Sequence, residues 1–368
     1  MINKMRLLTV VGARPQFIKA AAISRCLKHN QYSEVEEKIV HTGQHYDSQM
    51  SDTFFSELGV PEPSWNLHAG QIKDTDHQLG AMISGIKKII ADWLPNCVLV
   101  YGDTNSTLAG ALAAASFGVP LAHVEAGLRS YRSTMPEEIN RVICDRLSNI
   151  LFCPTNQAVE NLNSEGRYDH VHLVGDVMYD VFKREMNLIR SENLENVDFF
   201  SEKFVLSTIH RAENTNDPIR LQCLADALSL TAESIGVVLP LHPRTRRDIE
   251  RFNIIFSDRV RIIEPLSYKE LLSVLARSSV VATDSGGLQK EAYFAAVPCV
   301  TLREETEWVE TVESGWNILL PPTGGTDAAR DISSGIMMAL EKRNKTAPPE
   351  IYGDGNAAGK ILQVVLNL

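Results

Sequence analysis

The chain has no Cys-x-x-Cys pair, no HExxH helix, no EF-hand loop and no Cys/His spacing of a zinc site, so nothing in it reads as a metal centre. No glycine-rich dinucleotide fingerprint follows the first apolar run and no GxSxG elbow is present, which argues against nicotinamide chemistry and the serine-hydrolase layout. No apolar run approaches the roughly 20 residues that span a bilayer. The opening "MINKMRLLTVVGARP" lacks the long apolar core and cleavage site of a signal peptide. The six cysteines, Cys26, Cys97, Cys144, Cys153, Cys223 and Cys299, sit mostly in apolar contexts such as "NCVLVYG" and "VPCVTL", as buried thiols do in a reducing compartment. The expectation is a cytoplasmic, soluble protein that uses neither metal nor cofactor and has no membrane partner.

At 368 residues the chain is long for one domain, and two are expected. The formal net charge of −10 argues against a nucleic-acid partner. Cations nevertheless gather beside turn signals, at Arg14, Lys19, Arg129, Arg211, Arg244, Arg246 and Arg247. An acidic protein can therefore still hold an anionic ligand in a basic cleft.

Short apolar runs alternate with longer helical patterns. "RLLTVVG", "EKIVHTG", "CVLVYGD", "VPLAHVEAG" and "NILFCPT" read as strands in the first half, with helices between them. The alternation restarts after "VHLVGDVMYDVF", with "KFVLSTIH", "GVVLPLHP", "VRIIEP", "VVATD" and "PCVTL" as strands. Repeated β-α-β means parallel sheets covered by helices on both faces, and the restart means two of them. The expected fold is α/β, with two Rossmann-like domains over 1–175 and 176–355 and a C-terminal helix, 356–368, packed back on the first. In such sheets ligands sit at the carboxyl ends of strands. Polar groups follow those ends repeatedly: Gly12-Ala13-Arg14, Thr42-Gly43-Gln44-His45, Gly102-Asp103-Thr104, Glu125-Ala126-Gly127, His210-Arg211, His242-Pro243-Arg244 and Asp284-Ser285-Gly286. So many such ends argue for a ligand cleft between the domains.

In "VATDSGGLQKEA" a hydroxyl and two glycines separate a strand from a helix. Unpaired N–H groups at a helix start carry partial positive charge, and glycines let a phosphate approach them. Ser285, Gly286 and Gly287 would meet the phosphate, and Glu291 a ribose. The plainer reading is an ordinary turn with Ser285 as N-cap. Asp103 reads equally as an N-cap or as a functional carboxylate. Glu125, ending a buried strand, needs a partner or a function. Glu137 and Glu138 suit a first helical turn through the helix dipole alone. His210, followed by Arg211 at a strand end, completes a set able to act as general acid and base.

The segments "GARPQFIKAA", "HTGQHYD", "YGDTNSTLAG", "HVEAGLRS", "PEEINR", "HRAEN" and "TDSGGLQKEA" together resemble the non-hydrolysing UDP-N-acetylglucosamine 2-epimerases, in order from about residue 6 to residue 317. Within that family "GARPQF", "HRAENT" and "ETEWVE" most resemble the UDP-2,3-diacetamido-2,3-dideoxyglucuronate 2-epimerases of surface-polysaccharide pathways. The resemblance implies a glycosyltransferase-B-like fold, a homodimer and a UDP-sugar substrate. It implies that UDP is eliminated to leave a glycal and then added back as C2 is reprotonated on the other face. Asp103, Glu125, Glu137 and His210 would be catalytic. Arg14, Lys19, His45, Arg129, Arg141, Arg211, His242, Ser285, Gly286, Gly287, Glu291, Glu307 and Trp308 would contact substrate.

Two departures concern the substrate. "TEWVE" stands where many relatives acting on UDP-N-acetylglucosamine have "TERPE", so Trp308 replaces an arginine. Tyr46-Asp47 stands where they have Arg-Glu, which puts a second, activating UDP-sugar site in doubt. A diacetamido glucuronate substrate would need a cation for its carboxylate, with Arg129, Arg132 and Arg141 as candidates. The first alternative is UDP-N-acetylglucosamine as the substrate, with Trp308 merely repacking the cleft wall; a UDP-sugar glycosyltransferase, a hydrolysing relative or a non-enzymatic nucleotide-sugar sensor are the more distant readings.

Overall fold

The computed structural model describes residues 4–44, 59–191, 203–342 and 347–368. The chain divides into two compact units, the first Met1–Val181 with Glu350–Leu368, the second Phe182–Pro349.

Among the described residues the first unit is built on a parallel sheet of seven strands: β1 Met5–Val11, β2 Val35–His41, β3 Trp65–Asn66, β4 Cys97–Tyr101, β5 Leu121–Val124, β6 Ile150–Cys153 and β7 Val171–Leu173. Their order is β3-β2-β1-β4-β5-β6-β7, so the chain reverses direction across the sheet between β1 and β4. The inner strands are continuous apolar runs because both faces are covered: all five residues of β4 are buried. Val10, Val98 and Val100 pack with Met82, Ile86, Ile89 and Ile90 of the helix Thr75–Trp93.

The second unit repeats the plan with six parallel strands, β8 Phe204–Thr208, β9 Gly236–Pro240, β10 Val260–Ile263, β11 Val280–Thr283, β12 Cys299–Thr301 and β13 Asn317–Leu319. Their order is β10-β9-β8-β11-β12-β13. Its core joins Val205, Val237, Leu239 and Val280 to the helices Pro218–Thr231 and Gly325–Lys342.

Gly175, where the sequence suggests a boundary, lies inside the first unit. Its φ of +92° and missing side chain admit the Tyr352 carbonyl, which a Cβ there would meet at 2.8 Å. The same carbonyl accepts a hydrogen bond from Asp176 N at 3.0 Å. The Asp180 carboxylate then takes the backbone N–H groups of Ala357 (3.0 Å) and Ala358 (2.8 Å), anchoring the start of the helix Ala357–Val365.

All six cysteines are free. Among the described residues no helix is long and apolar enough to cross a membrane, and no group of three or more His, Cys, Asp or Glu is placed to hold a metal ion.

Candidate active site

In the first unit, polar residues cluster where β1, β4 and β5 end. Gly12 follows β1 because any side chain there would collide with the Thr42 and Ser106 hydroxyls, which bond each other at 2.7 Å. Gln16, buried in the helix Arg14–Cys26, ties the turn together. Its Oε1 accepts from Gly12 N (2.8 Å) and Ala13 N (3.1 Å), while its Nε2 donates to the Tyr101 carbonyl (2.9 Å) and Thr107 Oγ1 (2.9 Å). Arg14 opens that helix; its side chain lies outside the described residues, as does His45.

Asp103 and Glu125 stand just beyond the ends of adjacent strands, β4 and β5. Glu125 is 7 % exposed and pairs with Lys19. Asp103, partly exposed, pairs with Arg141, whose Nη1 also donates to Glu138 Oε2 at 3.1 Å. Asn140 Nδ2 donates to the Asp103 carbonyl at 2.9 Å. The helix Pro136–Leu147 supplies these last contacts, with Glu137 in its first turn and half-buried. Beside it, Glu138 is buried and accepts from Ser130 N (2.9 Å), Ser130 Oγ (3.0 Å) and Tyr131 N (2.9 Å). Of the two adjacent glutamates, the second is therefore engaged internally and the first is the more accessible.

Glu125 has φ +71°, a left-handed conformation that costs a non-glycine residue on the order of 1–2 kcal/mol. Its own N–H and that of Ala126 both point at the Phe152 carbonyl, each at 3.1 Å. Below the carboxylates lies a buried ionic group. Asp145 accepts from His123 Nδ1 (2.8 Å), Gly127 N (3.1 Å) and Arg129 Nη1 (2.7 Å), while His123 Nε2 faces the Gly102 carbonyl at 2.7 Å. Burial works to raise the Asp145 pKa, but the hydrogen bonds and charges of His123 and Arg129 outweigh it and hold the carboxyl below its ordinary range. Arg129 Nε and Nη2 bond the two Glu165 oxygens at 2.6 and 2.9 Å. Burial alone would lower the arginine's pKa; those partners raise it instead. Arg129, expected to meet substrate, is thus buried in internal ion pairs.

In the second unit the sequence Asp284-Ser285-Gly286-Gly287 leads from β11 into the helix Gly286–Phe294. Ser285 is the N-cap, accepting from Leu288 N at 3.4 Å, and the three turn residues after Asp284 are only half-buried. A Cβ on Gly286 would stand 3.0 Å from Glu307 Oε1 and 3.7 Å from Arg211 Nη2, so these side chains border the turn. Arg303 bonds Glu307 at 3.2 Å. Asp284 is fully buried and accepts from His210 N, Arg211 N and Asn214 Nδ2, which brings the His210 loop against the glycine turn. His210 itself is exposed. Glu291, one turn along the helix, is 4 % exposed. His242 caps another helix, Pro243–Phe252, by accepting from Arg244 N at 3.1 Å; it is exposed.

Trp308, expected at the ligand, is 4 % exposed. Its ring covers the ammonium of Lys290 at 3.8 Å, and Lys290 has no exposed surface. Thr306 Oγ1 donates to Gln289 Oε1 at 2.7 Å. Thr306 and Trp308 are thus fastened along the helix Gly286–Phe294 through Gln289 and Lys290, while Glu307 between them borders its N-terminal turn.

The family model described as UDP-N-acetylglucosamine 2-epimerase matches residues 27–366. The chain belongs to this family. It is 45% identical over 374 residues to the UDP-2,3-diacetamido-2,3-dideoxy-D-glucuronate 2-epimerase of Pseudomonas aeruginosa, covering 99% of this chain and 100% of that one. It is 44% identical over 373 residues to a UDP-N-acetylglucosamine 2-epimerase homolog of Methanococcus maripaludis, covering 99% and 100%. A crystal structure of Methanocaldococcus jannaschii UDP-GlcNAc 2-epimerase in complex with UDP-GlcNAc and UDP superposes with a TM-score of 0.87 at 35% identity, covering 99% of this chain and all of that one. The protein is an isomerase of the non-hydrolysing UDP-sugar 2-epimerase family, with the two parallel α/β sheets expected.

Several polar residues of this epimerase escaped sequence reasoning. Asp145, His123 and Glu138 are buried anchors, and nothing in an amphipathic helix pattern separates a buried carboxylate from a solvated one. Asp284 stands in the sequence signal already, two residues past the apolar run Val280–Ala282, as Asp103 stands two past Tyr101.

Proposed function

We propose that the protein inverts C2 of UDP-2,3-diacetamido-2,3-dideoxyglucuronate, from the gluco to the manno configuration. The C2–H and C1–O bonds break to give a glycal and UDP. UDP then re-adds at C1 while a proton is delivered to the opposite face of C2. Atoms and electrons balance without a redox step. Asp103, Glu125 and Glu137 are the proton-transfer groups in this reading. Ser285, Gly286 and Gly287 offer backbone and hydroxyl donors to the diphosphate of the leaving UDP, with His210 and Arg211 beside them, and Glu291 takes the ribose. The mechanism is supported by the placement of Asp103 and Glu125 just beyond the ends of adjacent strands, the first partly exposed and the second buried.

The choice of sugar is carried by the 45% identity to the Pseudomonas aeruginosa protein of that name over 99% of the chain. Of the three arginines considered for the substrate carboxylate, Arg129 and Arg141 are buried and Arg132 is exposed, so Arg132 is the one we favour. A second reading, UDP-N-acetylglucosamine as substrate, is favoured by the burial of Trp308, which argues for a packing role in place of a sugar contact. Comparing kcat/KM for the two UDP-sugars, with C2 followed by NMR in D2O, tests both. Turnover of UDP-N-acetylglucosamine at least as efficient as that of the diacetamido sugar rejects the first reading. Deuterium at C2 with neither sugar rejects both. A cytoplasmic homodimer feeding surface-polysaccharide synthesis completes the proposal, and its oligomeric state is checked by light scattering.

A further inference from the structure

We propose that Asp145 is the positioning residue that sets the Asp103 and Glu125 carboxylates in register, an inference that rests on the epimerase reading of those two groups. Asp145 lies on the same helix as Glu138 and Arg141, and the three fall on one helical face at spacings of three and four. Arg141 holds the Asp103 side chain directly. Asp145 reaches the same strand end through His123, whose other nitrogen bonds the Gly102 carbonyl at 2.7 Å. That carbonyl belongs to the peptide unit that continues into Asp103. Toward the other carboxylate, Asp145 bonds Gly127 N at 3.1 Å, two residues past Glu125, and His123 lies two residues before it.

The left-handed Glu125 backbone is therefore bracketed. Its preceding strand residue and its following turn are tied to one buried carboxylate, and the Gly127 carbonyl is held in addition by Asn161 Nδ2 at 2.9 Å. A conformation that local preference disfavours persists only where its surroundings over-determine it, and Asp145 is common to both sides of this one. Arg129, bound to Asp145 and Glu165, closes the buried network on its other side. Asp145 has no exposed surface of consequence, at 1 %, so it acts through these contacts and touches no substrate.

The test uses the full-length protein and the isosteric Asp145→Asn, with His123→Gln as a second variant should the first fail to fold. The expected result is a fall in kcat of about tenfold to a hundredfold, the scale of a misplaced catalytic group. KM and the UDP dissociation constant should stay within about twofold, because UDP meets other residues. In a Glu125→Gln background the same substitution should cost less than in the parent, since only the placement of Asp103 is then left to lose. Full kcat in the variants, or an equal fold-loss in both backgrounds, overturns the proposal. If the unsubstituted protein exchanges C2 of neither UDP-sugar, the functional reading has failed and the positional claim is read from the crystal structure of Asp145→Asn. Glu125 leaving its left-handed φ supports the claim there, and an unmoved Glu125 and Asp103 refute it.

Discussion

The Asp284 carboxylate receives the backbone N–H of His210 at 3.1 Å on both of its oxygens and lies 3.5 Å from the His210 ring at Nδ1. It also accepts from Arg211 N at 3.0 Å and Asn214 Nδ2 at 3.1 Å. A buried carboxylate thus ties the start of one loop to the end of another strand and draws one nitrogen of the His210 ring toward itself.

Asp284→Asn keeps the shape but weakens the acceptor. It leaves an amide N–H among donors, an unfavourable buried contact worth about 1–3 kcal/mol. Turnover should fall by about tenfold or more as the His210 ring loses its orientation, and the melting temperature should fall with it. A variant with undiminished kcat would remove His210 orientation from the mechanism.

Asp103→Asn and Glu125→Gln should each lower kcat by about 10²–10⁴-fold, the usual worth of a proton-transfer group. UDP affinity, measured by calorimetry, should change little. Near-normal turnover in either variant would remove that carboxylate from the reaction. Glu137→Gln should behave like them, whereas Glu138→Gln should chiefly destabilise. Glu138 accepts from Ser130 N, Ser130 Oγ, Tyr131 N and Arg141 Nη1, and losing charge there weakens four bonds at once.

What the sequence made legible follows from periodicity and adjacency. Buried parallel strands such as Cys97–Tyr101 are unbroken apolar runs, and a carboxylate two residues past such a run, as Asp103 and Asp284 are, marks the carboxyl edge of the sheet, where ligands sit in such folds. Trp65–Asn66 and Val171–Leu173 are too short for any period to show. Asp145 and Glu138 were hidden for another reason: an acidic residue in an amphipathic helix reads as solvated, and only the tertiary partners His123, Arg129 and Arg141 make it a buried anchor. Trp308 was read as part of a ligand wall because its neighbours in sequence match that region. Its stacking on Lys290 joins residues that no local pattern connects.

In the proposed reading Glu291, one helical turn past the glycine turn, takes the ribose, so Glu291→Ala should weaken UDP binding. Calorimetry with UDP alone measures this without turnover. Unchanged affinity would place the ribose elsewhere. Trp308→Leu supplies the contrast. Removing an aromatic face from a desolvated ammonium costs about 2 kcal/mol, so the melting temperature should drop. A change in the preference between the two UDP-sugars without a drop in melting temperature would instead make Trp308 a selector of substrate.

The last prediction concerns acid. His41 ends β2, is 5 % exposed, and accepts a hydrogen bond from Gly43 N on Nδ1 at 2.7 Å, which requires that nitrogen to be unprotonated. Its ring lies 5.0 Å from that of Phe17. Burial first, and the nearby His68 second, push its pKa down to about 4. The folded chain therefore prefers the neutral ring, while the unfolded chain takes up a proton near the ordinary value of about 6.5. The stabilisation is fully present above about pH 6.5 and is lost as pH falls toward about 4, which amounts to about 2 kcal/mol by pH 5. His41→Asn retains an acceptor for Gly43 N but carries no titrating group, so its melting temperature should decline less between pH 7 and pH 5 than that of the parent. Glu37 and Asp180 titrate with the opposite sign. Burial raises both of their pKa values, that of Asp180 to about 6, so their contribution to stability is lost as pH rises. They are common to both proteins and cancel in the comparison. Equal pH slopes for the two proteins would clear His41 of the effect and place the acid sensitivity elsewhere in the first unit.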